Sequence, residues 1–143
     1  MLSNSSKYAI KAVLFLAINS SEKQRIMVKD IYKAVNVSEA YLAKLLQELA
    51  RRNIISSIRG PKGGFYITEK EKEQSLLEII KVIDGENRIH SCVLGVSDCD
   101  MNNPCLLHNL VASSKMEFLR SFETTTIAEL TKNLGKDEVF FPL

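Results

Sequence analysis

The sequence contains no tryptophan, three prolines, six glycines, three cysteines and two histidines in 143 residues. So little proline and glycine excludes a collagen-like repeat and a long flexible linker. Four tyrosines and six phenylalanines in a chain that is 45% hydrophobic are too many apolar anchors for a disordered chain. The longest unbroken apolar run, Ala12–Ile18, falls far short of the roughly 20 residues that span a bilayer, so no membrane association is expected. Lys7 and Lys11 ahead of AVLFLAI have the outline of a secretory leader, but the NSSEKQ that follows offers no small-residue cleavage site. A cytoplasmic location is therefore expected, where thiols stay reduced. An odd number of cysteines also suits a ligand set better than a disulfide framework. Paired carboxylates, a phosphate-cradling glycine loop before a helix and a Ser/His/Asp set are all lacking, which argues against an enzyme, a small metalloenzyme included.

The net charge of +2 conceals an uneven distribution, with +6 over residues 1–73 and −4 over residues 74–143. A basic front half points to a polyanionic partner, the alternative being two oppositely charged solvated faces. Ser5 or Ser6 is placed to cap a first helix reaching about Ile18, with Ala9, Ala12, Val13, Leu16 and Ala17 at helical spacing. Leu14, Phe15 and Ile18 make that helix apolar nearly all round, so both faces should be covered, a second subunit being one candidate cover. A short helix at Val28–Ala34 follows. Ser38 then caps a third helix whose Tyr41, Leu42, Leu45, Leu46 and Leu49 form one stripe, leaving Lys44, Glu48, Arg51 and Arg52 outside. Short helix, tight polar turn and capped helix make a helix-turn-helix pattern. Two β-branched or aromatic stretches, Ile54–Arg59 and Phe65–Ile67, flank the loop GPKGG and read as a hairpin wing.

TEKEKEQ reads as a polar connector, and Ser75-x-x-Glu78 as a capping box opening a helix that Gly85 ends. Asn103-Pro104 resembles the start of a long helix with Leu107, Leu110, Val111, Phe118, Leu119 and Phe122 on one face. Thr126-x-x-Glu129 opens a last short helix. The fold expected is mainly α with a small β-hairpin wing. A winged helix-turn-helix over residues 1–73 is followed, over residues 74–143, by a polar loop at 86–108 and long C-terminal helices.

A third helix in a major groove would present Ser38, Glu39, Tyr41 and Lys44 to bases and phosphates, with Arg59, Gly60 and Lys62 at the wing. Arg59 suits a narrow minor groove, where the negative potential is enhanced. Tyr41 reads equally well as a core residue, and Lys44 as a solvated charge. The cysteines form a second constellation: Cys92, six residues, Cys99, five residues, Cys105, then His108. This is neither paired zinc-finger spacing nor a CxxC redox motif. A helix beginning at Asn103 would put Cys105 and His108 on one face of its first turns. Three thiolates and an imidazole there could hold iron, zinc or an iron–sulfur cluster. The plain alternative is structural thiols, for which a polar loop is an unusual place. His90 has no partner at ligand spacing.

SSKYAIKA, SEAYLAKLLQEL, RGPKGGF and CVLG…C…NPCLLH together resemble the IscR-like family of bacterial winged-helix transcription regulators, over roughly Leu2 to Leu134. The resemblance implies a homodimer on a pseudo-palindromic double-stranded DNA operator, with long C-terminal helices crossing at the dimer interface. It implies Arg59 and Gly60 in the minor groove, and an iron–sulfur cluster held by Cys92, Cys99 and Cys105. His108 matches the histidine that completes a 2Fe–2S site in the IscR branch. The NsrR branch takes an acidic N-terminal ligand, but Lys7 stands near that position, which favours 2Fe–2S and keeps 4Fe–4S as the alternative. Ala43 replaces an acidic residue that discriminates operators in the IscR branch, so no operator sequence carries over. The function implied is regulation of transcription, repression included, switched by a cluster that senses iron–sulfur status, redox state or nitric oxide. A winged-helix regulator without a cluster, controlled by a metabolite or protein partner, is the alternative.

Overall fold

The computed structural model of the chain describes residues 2–95 and 100–132. Helix α1, Asn4–Asn19, lies at the centre, with Ala9, Ala12, Val13 and Leu16 fully buried. One side of it is covered by α2 (Val28–Val35) and α3 (Glu39–Arg51), the other by α5 (Leu76–Asp84) and α8 (Ile127–Thr131). Leu14, Phe15 and Ile18, which make α1 apolar nearly all round, are half-buried, Leu14 and Phe15 packing against the core. Leu42, Leu46 and Leu49 of α3, Ile31 and Val35 of α2, Ile79 of α5 and Ile127 of α8 complete one core. Full burial of each such leucine stabilises the fold by about 1.5–3 kcal/mol. The core crosses residues 73 and 74, so the functional division expected there is not a division in packing. Helix α4 (Glu69–Lys72) replaces the expected polar connector, held by a capping box between Thr68 and Glu71.

Helix α1 starts earlier than expected because Ser3, not Ser5 or Ser6, is its cap, accepting from the Ser6 N–H at 3.0 Å. Ser6 is fully buried instead and donates its hydroxyl to Asp84 at 2.8 Å; the Ser3 hydroxyl donates to the same carboxylate. An acid at the end of α5 therefore sits at the positive N-terminus of α1, a favourable pairing with the helix dipole. Helix α2 ends at Asn36, which takes the left-handed conformation at φ 56°. Ser38 caps α3 as expected, accepting from Tyr41 N–H.

The wing consists of β1 (Ser56–Ile58) and antiparallel β2 (Gly64–Tyr66), with Ser57 opposite Phe65. Strand β1 is shorter than the expected Ile54–Arg59, and β2 keeps the expected three residues but begins one residue earlier. Ile54 and Ile55 drop into the core before β1 begins, and Ile67 leaves the ladder to give its N–H to Ser20 Oγ at 3.2 Å. On the outer side of β2, Ile26 forms a bridge with Phe65.

Helix α6 (Glu86–His90) occupies the start of what the sequence presented as loop. Helix α7, His108–Thr124, begins five residues after Asn103. The side chain of Asn103 is directed to Asp100, whose carboxylate also accepts from Asn102 N–H at 2.8 Å. A closed Asx-type turn thus takes the group that was expected to cap the helix. No helix among the described residues is long and apolar enough to cross a membrane.

Candidate nucleic-acid interface and cysteine segment

The first turn of α3 leaves Ser38, Glu39 and Tyr41 exposed, and Lys44 is exposed one turn later. The hydroxyl of Ser38 is committed to the cap. Tyr41 is only 37% exposed because α1 holds it. Its hydroxyl lies 2.5 Å from Ser5 Oγ, and its ring meets Tyr8 edge-on, with centroids 6.2 Å apart and planes at 86°. Tyr41 is therefore neither a core residue nor an unengaged base reader; it ties the start of α3 to the start of α1.

Arg59, Gly60 and Lys62 are all exposed in the turn between β1 and β2. Gly60 has φ 113° and Gly64 φ 150°, conformations that L residues rarely adopt. The wing and the second half of α3 face one another across a groove of about 640 Å³, lined by Met27, Gln47, Arg51, Ile58, Arg59 and Gly60 among others. Gln47 and Arg51 escaped the sequence reading as interface residues. They continue the line of Lys44 at intervals of three and four, the helical spacing that marks a shared face. Ser38 lies at the far end of α3, beside Tyr32, Lys33 and Asn36. Arg51 and Arg52 both pair with Glu48, at 2.5 and 3.4 Å. The Arg51 hydrogen bond holds the Glu48 carboxyl below its ordinary pKa; partial desolvation opposes this, and Arg52 reinforces it.

Cys92 is buried just after α6, against a cavity of about 230 Å³ walled by Ile80, Ile89, Phe118 and Leu119. Lys115 of α7 donates to Ser91 O at 2.5 Å and fixes this stretch to the middle of that helix. Cys99 lies outside the described residues. Cys105 is half-buried in the turn that leads into α7, its carbonyl accepting from His108 N–H at 3.0 Å. Cys105 therefore precedes the helix rather than occupying its first turn, because α7 begins at His108. His108 and Lys115 are seven residues apart, roughly 10 Å along the axis. The structure thus brings Cys105 and His108 into one turn and sets Cys92 further down α7. Among the described residues no three His, Cys, Asp or Glu side chains stand close enough together to hold a metal ion. The donor types still suit a soft metal centre. His90 is exposed at the end of α6.

The chain matches the family model described as Rrf2, an iron-dependent transcriptional regulator, over residues 2–133. The HTH-type transcriptional regulator IscR of Klebsiella pneumoniae (strain 342) is 28% identical over 132 residues, spanning 92% of this chain and 80% of that protein. The IscR of Escherichia coli O1:K1 / APEC matches to the same extent. The fold is shared with CymR (YrzC), the global cysteine regulator of B. subtilis, at a TM-score of 0.73 and 23% identity over 94% of this chain and 98% of that one. It is shared also with T. potens IscR, at a TM-score of 0.67 and 20% identity over 92% and 86%. These relatives are regulators rather than enzymes, in keeping with the missing acid–base pair. With a winged helix-turn-helix in its basic half and a family match over nearly its whole length, the chain belongs to the Rrf2 family of DNA-binding transcriptional regulators.

Proposed function

We propose that the protein is a homodimeric regulator that grips a pseudo-palindromic operator with two winged helices and adjusts that grip through its cysteine segment. The observation that carries the DNA half is the groove in which α3 and the wing face each other, bordered by Gln47, Arg51 and Arg59 within the basic front half. In this reading Glu39, Tyr41 and Lys44 lie at bases or phosphates of the major groove, with the Ser38 cap fixing the helix end that carries them. Arg59, Gly60 and Lys62 follow the adjacent minor groove. Dimerisation through α7 is supported by the apolar side chains that this helix leaves uncovered.

The finer reading assigns Cys92, Cys99, Cys105 and His108 to an iron–sulfur cluster, with 2Fe–2S favoured and 4Fe–4S the alternative. When bound, such a cluster would supply a centre whose charge and integrity respond to oxidants, iron supply or nitric oxide. The chain's own part is to draw the Cys105–His108 turn and Cys92 towards each other. The bond from Lys115 to Ser91 O would carry that movement into α7, and thence to the relative placement of the two wings. Reduced thiols require a reducing compartment, which supports a cytoplasmic protein. The test is anaerobic reconstitution with iron and sulfide, followed by visible absorption and by titration against duplexes enriched from a random-sequence pool. Coloured protein with altered affinity is expected; colourless protein with unchanged affinity rejects the cluster. The second reading is a regulator without a cluster that answers to a metabolite or partner protein. Metal and sulfide analysis of protein purified without air separates the two.

A further inference from the structure

Arg25 lies ahead of α2, outside every motif in the sequence. Its neighbour Ile26 exchanges two main-chain hydrogen bonds with Phe65, at 2.9 and 2.8 Å, so the chain entering α2 is bridged to the open edge of β2 at this one pair. From this edge Arg25 reaches the wing turn, where Nη1 donates to Lys62 O at 3.4 Å in an exposed contact. The packing at this edge is tight: a Cβ on Gly64 would stand 2.8 Å from Ile26 O and 3.2 Å from the Arg25 Cβ. The Arg25 Nε is buried and has no hydrogen-bond partner among the described residues. A buried guanidinium N–H without an acceptor is unfavourable, so the side chain is held by its packing against the wing and by the Lys62 carbonyl. The wing itself is two three-residue strands closed by a turn in which Gly63 N–H donates to Gly60 O at 2.9 Å. A two-stranded ribbon is marginal unless something supports it.

We propose that Arg25 is a strut that fixes the height of the wing tip over α3 and thereby the approach of Arg59 and Lys62 to DNA. It acts through the wing main chain and is a positioning residue, not a DNA contact. The inference rests on the DNA-binding reading above. Duplexes enriched from a random-sequence pool by the unaltered full-length protein are the probe. R25A, R25K and R59A are compared for affinity as a function of salt and for base preference along the site. R25A is expected to lose roughly tenfold in affinity, the worth of one hydrogen bond to a charged group at the low end. Its salt dependence stays that of the unaltered protein, and base preference disappears at the flanks under the wings while persisting where α3 reads. R25K keeps the charge without the planar fork, so it behaves like R25A. R59A is the contrast, with its salt slope shallower by about one per lost phosphate contact. Recovery of affinity in R25K, or a salt slope in R25A that falls as in R59A, makes Arg25 a phosphate ligand and overturns the strut. R25A that binds like the unaltered protein overturns it as well. Should the unaltered protein enrich no duplex, the DNA-binding reading fails and this inference falls with it.

Discussion

Gly63 has room for hydrogen and nothing larger. A Cβ there would lie 2.2 Å from Ile58 O and 2.9 Å from both the Arg59 carbonyl carbon and Gly60 O, all of them main-chain atoms that cannot swing aside. Gly63→Ala should therefore open the turn that presents Arg59 and Lys62. Because the turn itself is exposed and only β2, through Phe65 and Tyr66, reaches the interior, the expected result is a loss of DNA affinity of roughly tenfold or more, in line with misplaced minor-groove and phosphate contacts. Thermal unfolding should move by a few degrees at most. A titration beside a melting curve checks both. Tyr41 shows what a single side chain hides from sequence reasoning. Its spacing in α3 allowed a core or a base-reading role, whereas its engagement by Ser5 and Tyr8 comes from a crossing of α1 and α3 that no local pattern encodes.

On α3 the charges are coupled rather than independent. Glu48 sits between Arg51 and Arg52, and their hydrogen bonds keep its carboxyl ionised to lower pH than usual. A folded-state pKa depressed in this way contributes stability above the unfolded value and loses it as pH falls through the lowered one. Both arginines are thus paired with the acid throughout the neutral range. Glu48→Gln should release them, raise DNA affinity several-fold at low salt and steepen the salt dependence, since free cations displace more counterions. Duplex titrations at a series of salt concentrations check this; an unchanged slope would mean that these arginines face away from DNA. The helices whose apolar stripes repeat at regular spacing, α3 and α5 above all, were readable because burial imposes the period. Helix ends were less so, since a capping residue has competing partners. Ser75 makes no side-chain cap: Glu78 pairs with Lys81 at 3.0 Å, and the Ser75 backbone bridges to Thr126. Asn103 turns to Asp100 in the same manner. The candidate site followed this pattern. The proposed DNA face is built from contiguous α3 and wing residues and is visible in their order. The position of Cys105 and His108 relative to Cys92 depends on where α7 starts, at His108 rather than at Asn103, whose side chain turns to Asp100.

The two halves share the core around α1, and within the C-terminal half a few main-chain bonds set the path of α7. Leu76 N–H donates to Thr125 O and Ile127 N–H to Gln74 O, both at 3.1 Å, so α7 returns to the core beside the start of α5. Phe118 and Phe122 stack on one another, with centroids 4.4 Å apart, and Leu119 and Phe122 pack on the small cluster of Leu77, Ile80 and Ile89. The rest of α7 is left open: Leu110 is 73% exposed and Met116 68%. Apolar side chains this exposed along one long helix fit an interface better than a free surface. A second copy of α7 is the cover proposed, and it would match a pseudo-palindromic operator because a two-fold axis in the protein sets the half-site spacing in the DNA. Leu110→Asp tests this directly. The side chain has no core contact to lose, so far-UV circular dichroism should remain that of the unaltered protein. Sedimentation should shift from dimer to monomer, since a carboxylate buried at such an interface without a partner is strongly unfavourable. Affinity for a two-half-site duplex should fall by ~100-fold or more as the second half-site ceases to be held at high effective concentration. Affinity for an isolated half-site should stay as it was. A variant that remains dimeric moves the interface off this part of α7 and leaves its apolar face to some other partner.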